Sequence, residues 1–219
     1  MRRFSRIVRS ATLISLCFLP AVPNAMAATL SDNARVDRLT DLIVEMVPFG
    51  KMFDMAAAEN PKWPVQDNPE SVTAEQLGCL RRELSDEGYR RARRVEVAAY
   101  AATRGSKLDQ DIEVLEKGAS TMMGKAMLSG AESKRNGQEI DAKALFAGAH
   151  PEQLLSFLTF ANDEKFAPLR ELSGIGETIA TGADDAEARG KKRGAMMAAK
   201  YMLQAMSACD VPVTTMFGK

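Results

Sequence analysis

Apolar residues recur along this chain at the three- and four-residue spacing of amphipathic α-helices. The clearest stripe carries Val36, Leu39, Ile43 and Met46, and it follows capping oxygens at residues 31–33. No stretch keeps the two-residue alternation of a half-buried strand for more than a few positions, so the pattern predicts an all-α protein. The predicted helices cover residues 36–47, 49–56, 74–84, 85–102, 108–130, 140–147, 151–160, 166–172 and 184–209.

Proline and glycine separate these helices. Pro48 divides the first two, because proline lacks the amide proton that a helix interior requires, and Gly174 ends the eighth. Residues 60–71 form the longest predicted loop and contain Trp63, which either seals the loop onto the core or forms a recognition surface. We expect a single multi-helix bundle of about seven to nine helices.

Residues 1–27 have the composition of a secretory signal peptide. Four arginines precede an apolar run over residues 11–22, and Ala25-Met26-Ala27 is the small-x-small pattern that a signal peptidase cleaves. The run is shorter than the roughly 18 apolar residues of a membrane anchor. We therefore predict a periplasmic protein whose domain spans residues 28–219 and has no transmembrane segment.

Charge limits the partners of that domain. Residues 28–219 carry 25 Lys and Arg against 29 Asp and Glu, because the signal segment holds four basic residues and no acidic one. Nucleic-acid binding needs a basic surface, which this balance does not favour. The sequence predicts no nucleic-acid partner.

Two cysteines remain in residues 28–219, Cys79 and Cys209. In an oxidising compartment an isolated pair is more often bridged than free. Closing so long a loop would stabilise the fold by roughly 4 to 5 kcal/mol on the chain-entropy model. We predict a disulfide between them, with two buried thiols as the alternative.

Few residues of this chain suit catalysis or metal binding. His150 is the only histidine, and the chain has no His-Glu-x-x-His, Gly-x-Ser-x-Gly or Ser-x-x-Lys motif. Carboxylates do cluster, at Asp109, Asp111, Glu113 and Glu116. Such a cluster is either a solvated helix face or part of a glycosidase-like pair that faces across a cleft. We predict no catalytic residues, no metal ligands and no cofactor, with a cell-wall enzyme as the alternative.

One candidate partner-binding surface is a basic run over the third and fourth predicted helices, formed by Arg81, Arg82, Arg90, Arg91, Arg93 and Arg94. Of these, Arg90, Arg91 and Arg94 are the candidate contact residues, and acidic residues lie nearby in the sequence. The run forms either a patch for an acidic partner or a solvated face with ion pairs between successive turns. Trp63 is a further candidate for the same surface.

Methionine supplies the other candidate surface. Eleven methionines follow residue 27, among them Met52 with Met55 and Met122 with Met123. Thioethers on apolar stripes form either a plastic core, an adaptable partner-binding groove or a copper site. We expect a binding groove to be lined by methionine and bordered by arginine.

The pattern Gln153-Leu154-x-x-Phe157-x-x-Phe160 resembles part of an exported bacterial helical family, the domain of unknown function 2059. Ala161 stands where the family has a second aromatic residue, and residues 162–165 are shorter than its turn and lack the glycine. The resemblance implies a helical periplasmic domain and carries no site residues.

These observations predict a non-catalytic periplasmic binding protein with a protein partner. Its most concrete form is an inhibitor or immunity-type protein that neutralises a toxin or an envelope enzyme. The alternatives are a cell-wall enzyme with a carboxylate pair and a periplasmic copper-binding protein.

Overall fold

The computed structural model describes residues 24–138, 141–176 and 186–217. Helices joined by turns and loops fill these ranges, which contain no strand, so the predicted all-α fold is confirmed. Seven helices are eleven residues or longer, within the predicted number. In chain order the helices are α1 (Asn24–Met46), α2 (Phe49–Glu59), α3 (Ala74–Leu84), α4 (Asp86–Arg104), α5 (Leu108–Val114), α6 (Ser120–Asn136), α7 (Ala142–Phe146), α8 (Pro151–Asn162), α9 (Ala167–Ser173), α10 (Ala186–Ala208) and α11 (Thr214–Phe217).

Helix α1 lies at the centre of the bundle and contacts α4, α5 and α6. Leu39, Ile43 and Met46 are fully buried, as their spacing predicts. Val44 and Val47 are buried as well. Because α1 is covered on several sides, its apolar surface is wider than the single apolar stripe of an amphipathic helix.

Small side chains bring α6 close to α1. A Cβ added at Gly124 would stand 2.2 Å from the carbonyl oxygen of Glu45. One turn earlier, the hydroxyl of Ser120 donates a hydrogen bond of 2.8 Å to the carbonyl oxygen of Leu42. The close approach fixes α6 along the C-terminal half of α1.

The predicted continuous helix over residues 108–130 is wrong in two respects. Leu115–Ala119 form a single π-helical turn between α5 and α6, in which Gly118 has φ +126°. Helix α6 then passes Gly130 and ends only at Asn136. Apolar spacing does not reveal an inserted π turn, and a helical glycine lowers stability without necessarily ending the helix.

Helix α8 packs against this π turn. Gly118 lies so close to Gln153 that an added Cβ would stand 2.7 Å from the Gln153 Cβ. The hydroxyl of Ser156 donates to the carbonyl oxygen of Val114, at the end of α5. Gly118 thus leaves room for Gln153, and the Val114 carbonyl oxygen accepts the hydrogen bond from Ser156. Together these two contacts position α8.

The predicted disulfide is present. Cys79 of α3 and Cys209, which follows α10, are bonded with their Cα atoms 5.8 Å apart. Beside the bond, the side-chain amide of Gln76 donates a hydrogen bond of 3.0 Å to the carbonyl oxygen of Asp210. The C-terminal end of α10 is therefore held against α3.

The apolar spacing of the last predicted helix indicates an inner face of Ala188, Met196, Ala199, Tyr201, Met202, Ala205 and Met206. The structure confirms only the C-terminal half of that face. Tyr201, Ala205 and Met206 are buried, whereas Met196 is 63% exposed and Ala188 is also exposed. The disulfide holds the C-terminal end of α10 against α3, so the burial is concentrated there.

Two predicted helix starts, Ile140 and Asp184, lie outside the described ranges. Residues 1–23 of the predicted signal peptide also lie outside them. Among the helices that the structure describes, none has the length and apolar character needed to cross a membrane.

Candidate functional site

Trp63 seals a loop onto the core. Only 8% of the residue is exposed, and its ring centroid lies 5.5 Å from that of Phe53. The guanidinium of Arg81 donates a hydrogen bond of 2.9 Å to the Trp63 carbonyl oxygen. The structure thus places Trp63 inside the fold, away from an accessible recognition surface.

Arg90 and Arg94 join α4 to α1. Their Nε atoms lie 2.6 Å from carboxylate oxygens of Asp41 and Asp37 respectively. The hydrogen bond to Asp41 raises the pKa of Arg90 above its usual value. Both positive charges are therefore compensated by α1.

Arg91 lies apart from these two ion pairs. Its guanidinium is 3.2 Å from Glu83 and 3.8 Å from Glu87. Exposed pairs of this kind stabilise a fold only slightly, but they compensate the charge that an acidic partner would meet. The arginines of the basic run that lie on α4 therefore all form ion pairs, whereas Arg81 of α3 donates to backbone carbonyl oxygens such as that of Trp63.

One arginine of the basic run, Arg93, is buried, which its sequence position does not indicate. Arg93 is 1% exposed and donates to Glu96, to the Tyr201 hydroxyl at 2.8 Å and to the Leu172 carbonyl oxygen at 2.6 Å. Glu96 also accepts a hydrogen bond from Lys200. These contacts tie α4 to the residues around α9 and α10, and the only hint in the sequence was the three-residue spacing of Arg93 and Glu96.

Met122 and Met123 belong mainly to the core. Met122 is 2% exposed, and Met123 is half-buried against the central apolar cluster. Neighbouring residues of a helix point in different directions, so the two thioethers do not face each other. Neither methionine lines the groove described next.

A methionine-lined groove lies between α2 and α6. It has a volume of about 430 Å³ and is lined on the α2 side by Met52, Met55 and Ala56, and on the α6 side by Ala131. Both methionines are half-buried, so part of each thioether side chain is open to solvent. We call this feature the methionine groove.

Charged side chains border the methionine groove. Arg135 of α6 forms an ion pair of 2.7 Å with Glu59 of α2, and Glu132 and Lys134 complete the rim. An apolar floor inside a polar rim of both signs is the anatomy of a protein-binding surface. The sequence had singled out Met52 and Met55 by their spacing, but it could not place α6 beside α2.

The clustered carboxylates each have a basic partner. Asp111 is fully buried and accepts hydrogen bonds of 2.6 and 2.8 Å from Arg104, whereas the other three are on the surface. The hydrogen bond from Lys117 lowers the pKa of Glu113, whereas a general acid requires a raised pKa. The surface pairs are Asp109 with Arg35, Glu116 with Arg38 and Glu113 with Lys117.

Within the part of the chain that the structure describes, no three His, Cys, Asp or Glu side chains are grouped so that they could hold an ion.

No protein-family model matches the chain, and no curated protein or solved structure is significantly similar to it. The resemblance of residues 153–160 to the exported helical family stays a prediction.

Proposed function

We propose that the protein is an exported, non-catalytic binding protein that acts in the periplasm on a protein partner. Its specific form is an inhibitor or immunity-type protein that neutralises a toxin or an envelope enzyme. The methionine groove is the observation that carries this proposal. The signal-peptide pattern of residues 1–27 and the disulfide between Cys79 and Cys209 support the location.

The chemistry of the methionine groove suits an apolar protein segment. Met52 and Met55 have unbranched, polarizable side chains that adapt to irregular shapes, a property that partner-binding surfaces exploit. The groove runs between two helices, so the apolar side of a helix from a partner fits it in the helix-in-groove manner. Burying the exposed part of these thioethers would supply the hydrophobic contribution to affinity.

The rim of the groove adds selectivity. Arg135 and Glu59 already pair with each other, at 2.7 Å, and both remain about half exposed. A partner that offers a carboxylate to Arg135 and a cation to Glu59 would exchange one ion pair for two. Such rim contacts affect association rate and choice of partner more than they affect affinity.

A capture experiment with site-directed variants tests the proposal. The chain is expressed with its own leader and purified from the periplasm, where its mass should correspond to a protein that begins at Ala28. It is crosslinked in periplasmic extract, and the captured protein is identified by mass spectrometry, purified and titrated. The double substitution Met52→Lys/Met55→Lys should weaken binding at least tenfold, because two charges would enter the apolar floor.

The matched control is Met196→Lys, which makes the same change at a methionine that is 63% exposed on α10. This variant should bind like the wild type, and the wild type should inhibit the activity of the purified partner. A persistent lack of any crosslinked partner would overturn the proposal. Equal binding by the double variant and the control would remove the methionine groove from it.

A further inference from the structure

Helix α8 presents two leucines to solvent. Leu155 is 66% exposed and Leu158, almost one turn later, is 54% exposed. Glu152 and Asn162 are the exposed polar residues on either side of them along the helix. Adjacent large apolar residues within a polar surround are typical of a surface that contacts another protein.

A groove adjoins these leucines. Between α8 and the segment formed by α5 and the π turn, it encloses about 610 Å³. Val114, Leu155 and Phe166 give it an apolar lining, and the buried Ser156 holds α8 to the opposite wall through the Val114 carbonyl oxygen. We call this feature the α8 groove, and it shares no residue with the methionine groove.

Each end of the α8 groove carries one acidic and one basic side chain. Two glutamates and two lysines line it, Glu113, Glu152, Lys117 and Lys165. Lys117 donates to Glu113 and also experiences the charge of Glu152, while Glu113 also experiences the charge of Lys165. One end of the groove therefore holds Lys117 and Glu152, and the other holds Glu113 and Lys165.

We propose that two copies of the chain associate through their α8 grooves about a two-fold axis. The axis passes between the two α8 helices, which then run antiparallel to each other. Leu158 of each copy, which is exposed on α8 next to the groove residue Thr159 in the sequence, then contacts α8 of the other copy. The proposal goes beyond the binding function, because it concerns a different surface.

Charge complementarity favours a second copy over a different protein. A two-fold axis brings each end of the groove against the opposite end of its partner. Glu152 then faces Lys165 of the second copy, and Lys117 faces Glu113. A strongly acidic or basic partner would instead meet a like charge at each end, which opposes binding.

Sedimentation equilibrium of the purified, disulfide-bonded protein tests the association. The wild type should show a reversible dimer. The substitution Leu158→Asp should raise the dimer dissociation constant at least tenfold, because it places a charge in the apolar contact between the two α8 helices. Val95→Asp is the matched control, since Val95 is 72% exposed on α4 and lies outside the α8 groove.

A charge exchange tests the two-fold arrangement. Glu152→Lys alone and Lys165→Glu alone should each weaken the dimer, because each places like charges opposite each other. The double variant Glu152→Lys/Lys165→Glu should recover most of the wild-type dissociation constant. Circular dichroism of each variant shows that its helices are intact.

The two experiments test the association and the two-fold arrangement separately. A wild type that is monomeric at every concentration up to its solubility limit overturns the proposal, as does a dimer that Leu158→Asp leaves unchanged. A dimer that is sensitive to Leu158→Asp without recovery in the double charge variant overturns the antiparallel two-fold arrangement. None of these variants alters the methionine groove, so failure here is distinct from failure of partner binding.

Discussion

At the scale of single residues, all three tyrosines of the chain have a raised pKa. Burial raises the pKa of Tyr201 to about 12, although Arg93 beside it acts in the opposite direction. Burial also raises the pKa of Tyr89, which stacks edge-on against Tyr201. Tyr100 is half-buried, and its hydroxyl donates a hydrogen bond of 2.8 Å to Asp111, which adds to the effect of burial on its pKa.

We therefore expect the protein to lose stability in alkali as its tyrosines ionise. Below pH 10 the phenols are neutral in both states, whereas above about pH 10 they ionise in the unfolded chain and stay neutral in the fold. The unfolded state then binds fewer protons, so the free energy of unfolding falls by about 1.4 kcal/mol per pH unit for each such tyrosine. Tyrosinate absorbance should rise together with the loss of helical circular dichroism.

A titration in concentrated denaturant is the control, and there the tyrosines should ionise with their ordinary pKa. The prediction fails if tyrosinate absorbance of the native protein rises with that ordinary pKa while the helical signal is unchanged.

Residue identity alone did not reveal which arginines would be buried. Arg93 and Arg94 are neighbours in a basic run, yet Arg93 is 1% exposed, whereas the Arg94 side chain is 42% exposed. Their orientation on α4 could be derived from the sequence, but Tyr201 and the Leu172 carbonyl oxygen, which lie far away in the sequence, could not. The partners of polar residues depend on the tertiary arrangement, which local patterns do not contain.

At the scale of elements, the helices were predictable because their signals are local. The capping box at Thr73 is formed by Thr73 and Gln76, as their spacing indicates, and the hydroxyl of Thr73 accepts the Gln76 N–H at 3.1 Å. The π turn at Leu115–Ala119 was not predictable, since it adds one residue to a helical repeat without interrupting the apolar spacing. Both grooves depend on which helices lie side by side, which the sequence does not show.

Gly118 makes the π turn possible, so substituting it should destabilise the protein. In Gly118→Ala the new Cβ would be held at φ +126° and would stand 2.7 Å from the Gln153 Cβ. Strain in the backbone and overpacking against α8 together should cost about 2–4 kcal/mol. Urea denaturation, followed by circular dichroism, measures the loss.

The matched control is Gly78→Ala. Gly78 lies inside α3, and a Cβ added there meets no atom within 4 Å. Alanine is the better helix former, so this variant should gain about 0.5–1 kcal/mol. A Gly118→Ala variant as stable as the wild type would show that α8 can shift away from the π turn at little cost.

At the scale of the whole molecule, the two grooves are separate surfaces. The methionine groove and the α8 groove have no residue in common, although α6 contacts α8 as well as bordering the methionine groove. A dimer formed through the α8 groove leaves both methionine grooves open. Two binding sites on one dimer would raise the avidity for a partner that is itself a dimer or is fixed to a surface.

The disulfide closes residues 79–209 into one covalent loop, and removing it should lower stability substantially. It joins residues 130 positions apart, from α3 to the end of α10. Closing a loop of that length reduces the entropy of the unfolded chain by an amount worth about 5 kcal/mol, before any strain in the native state is deducted. Cys79→Ser/Cys209→Ser should therefore lower the urea midpoint while leaving the helical signal of the native state unchanged.

Reduction of the wild type provides the control for that variant. If the bond acts by restricting the unfolded chain, the wild type with excess dithiothreitol should unfold at the same urea concentration as Cys79→Ser/Cys209→Ser. The slope of unfolding free energy against urea should rise in both, because the unlinked chain exposes more surface. Equal midpoints for the oxidised wild type and the double variant would show that the buried contacts around α1 hold the bundle together without the covalent link.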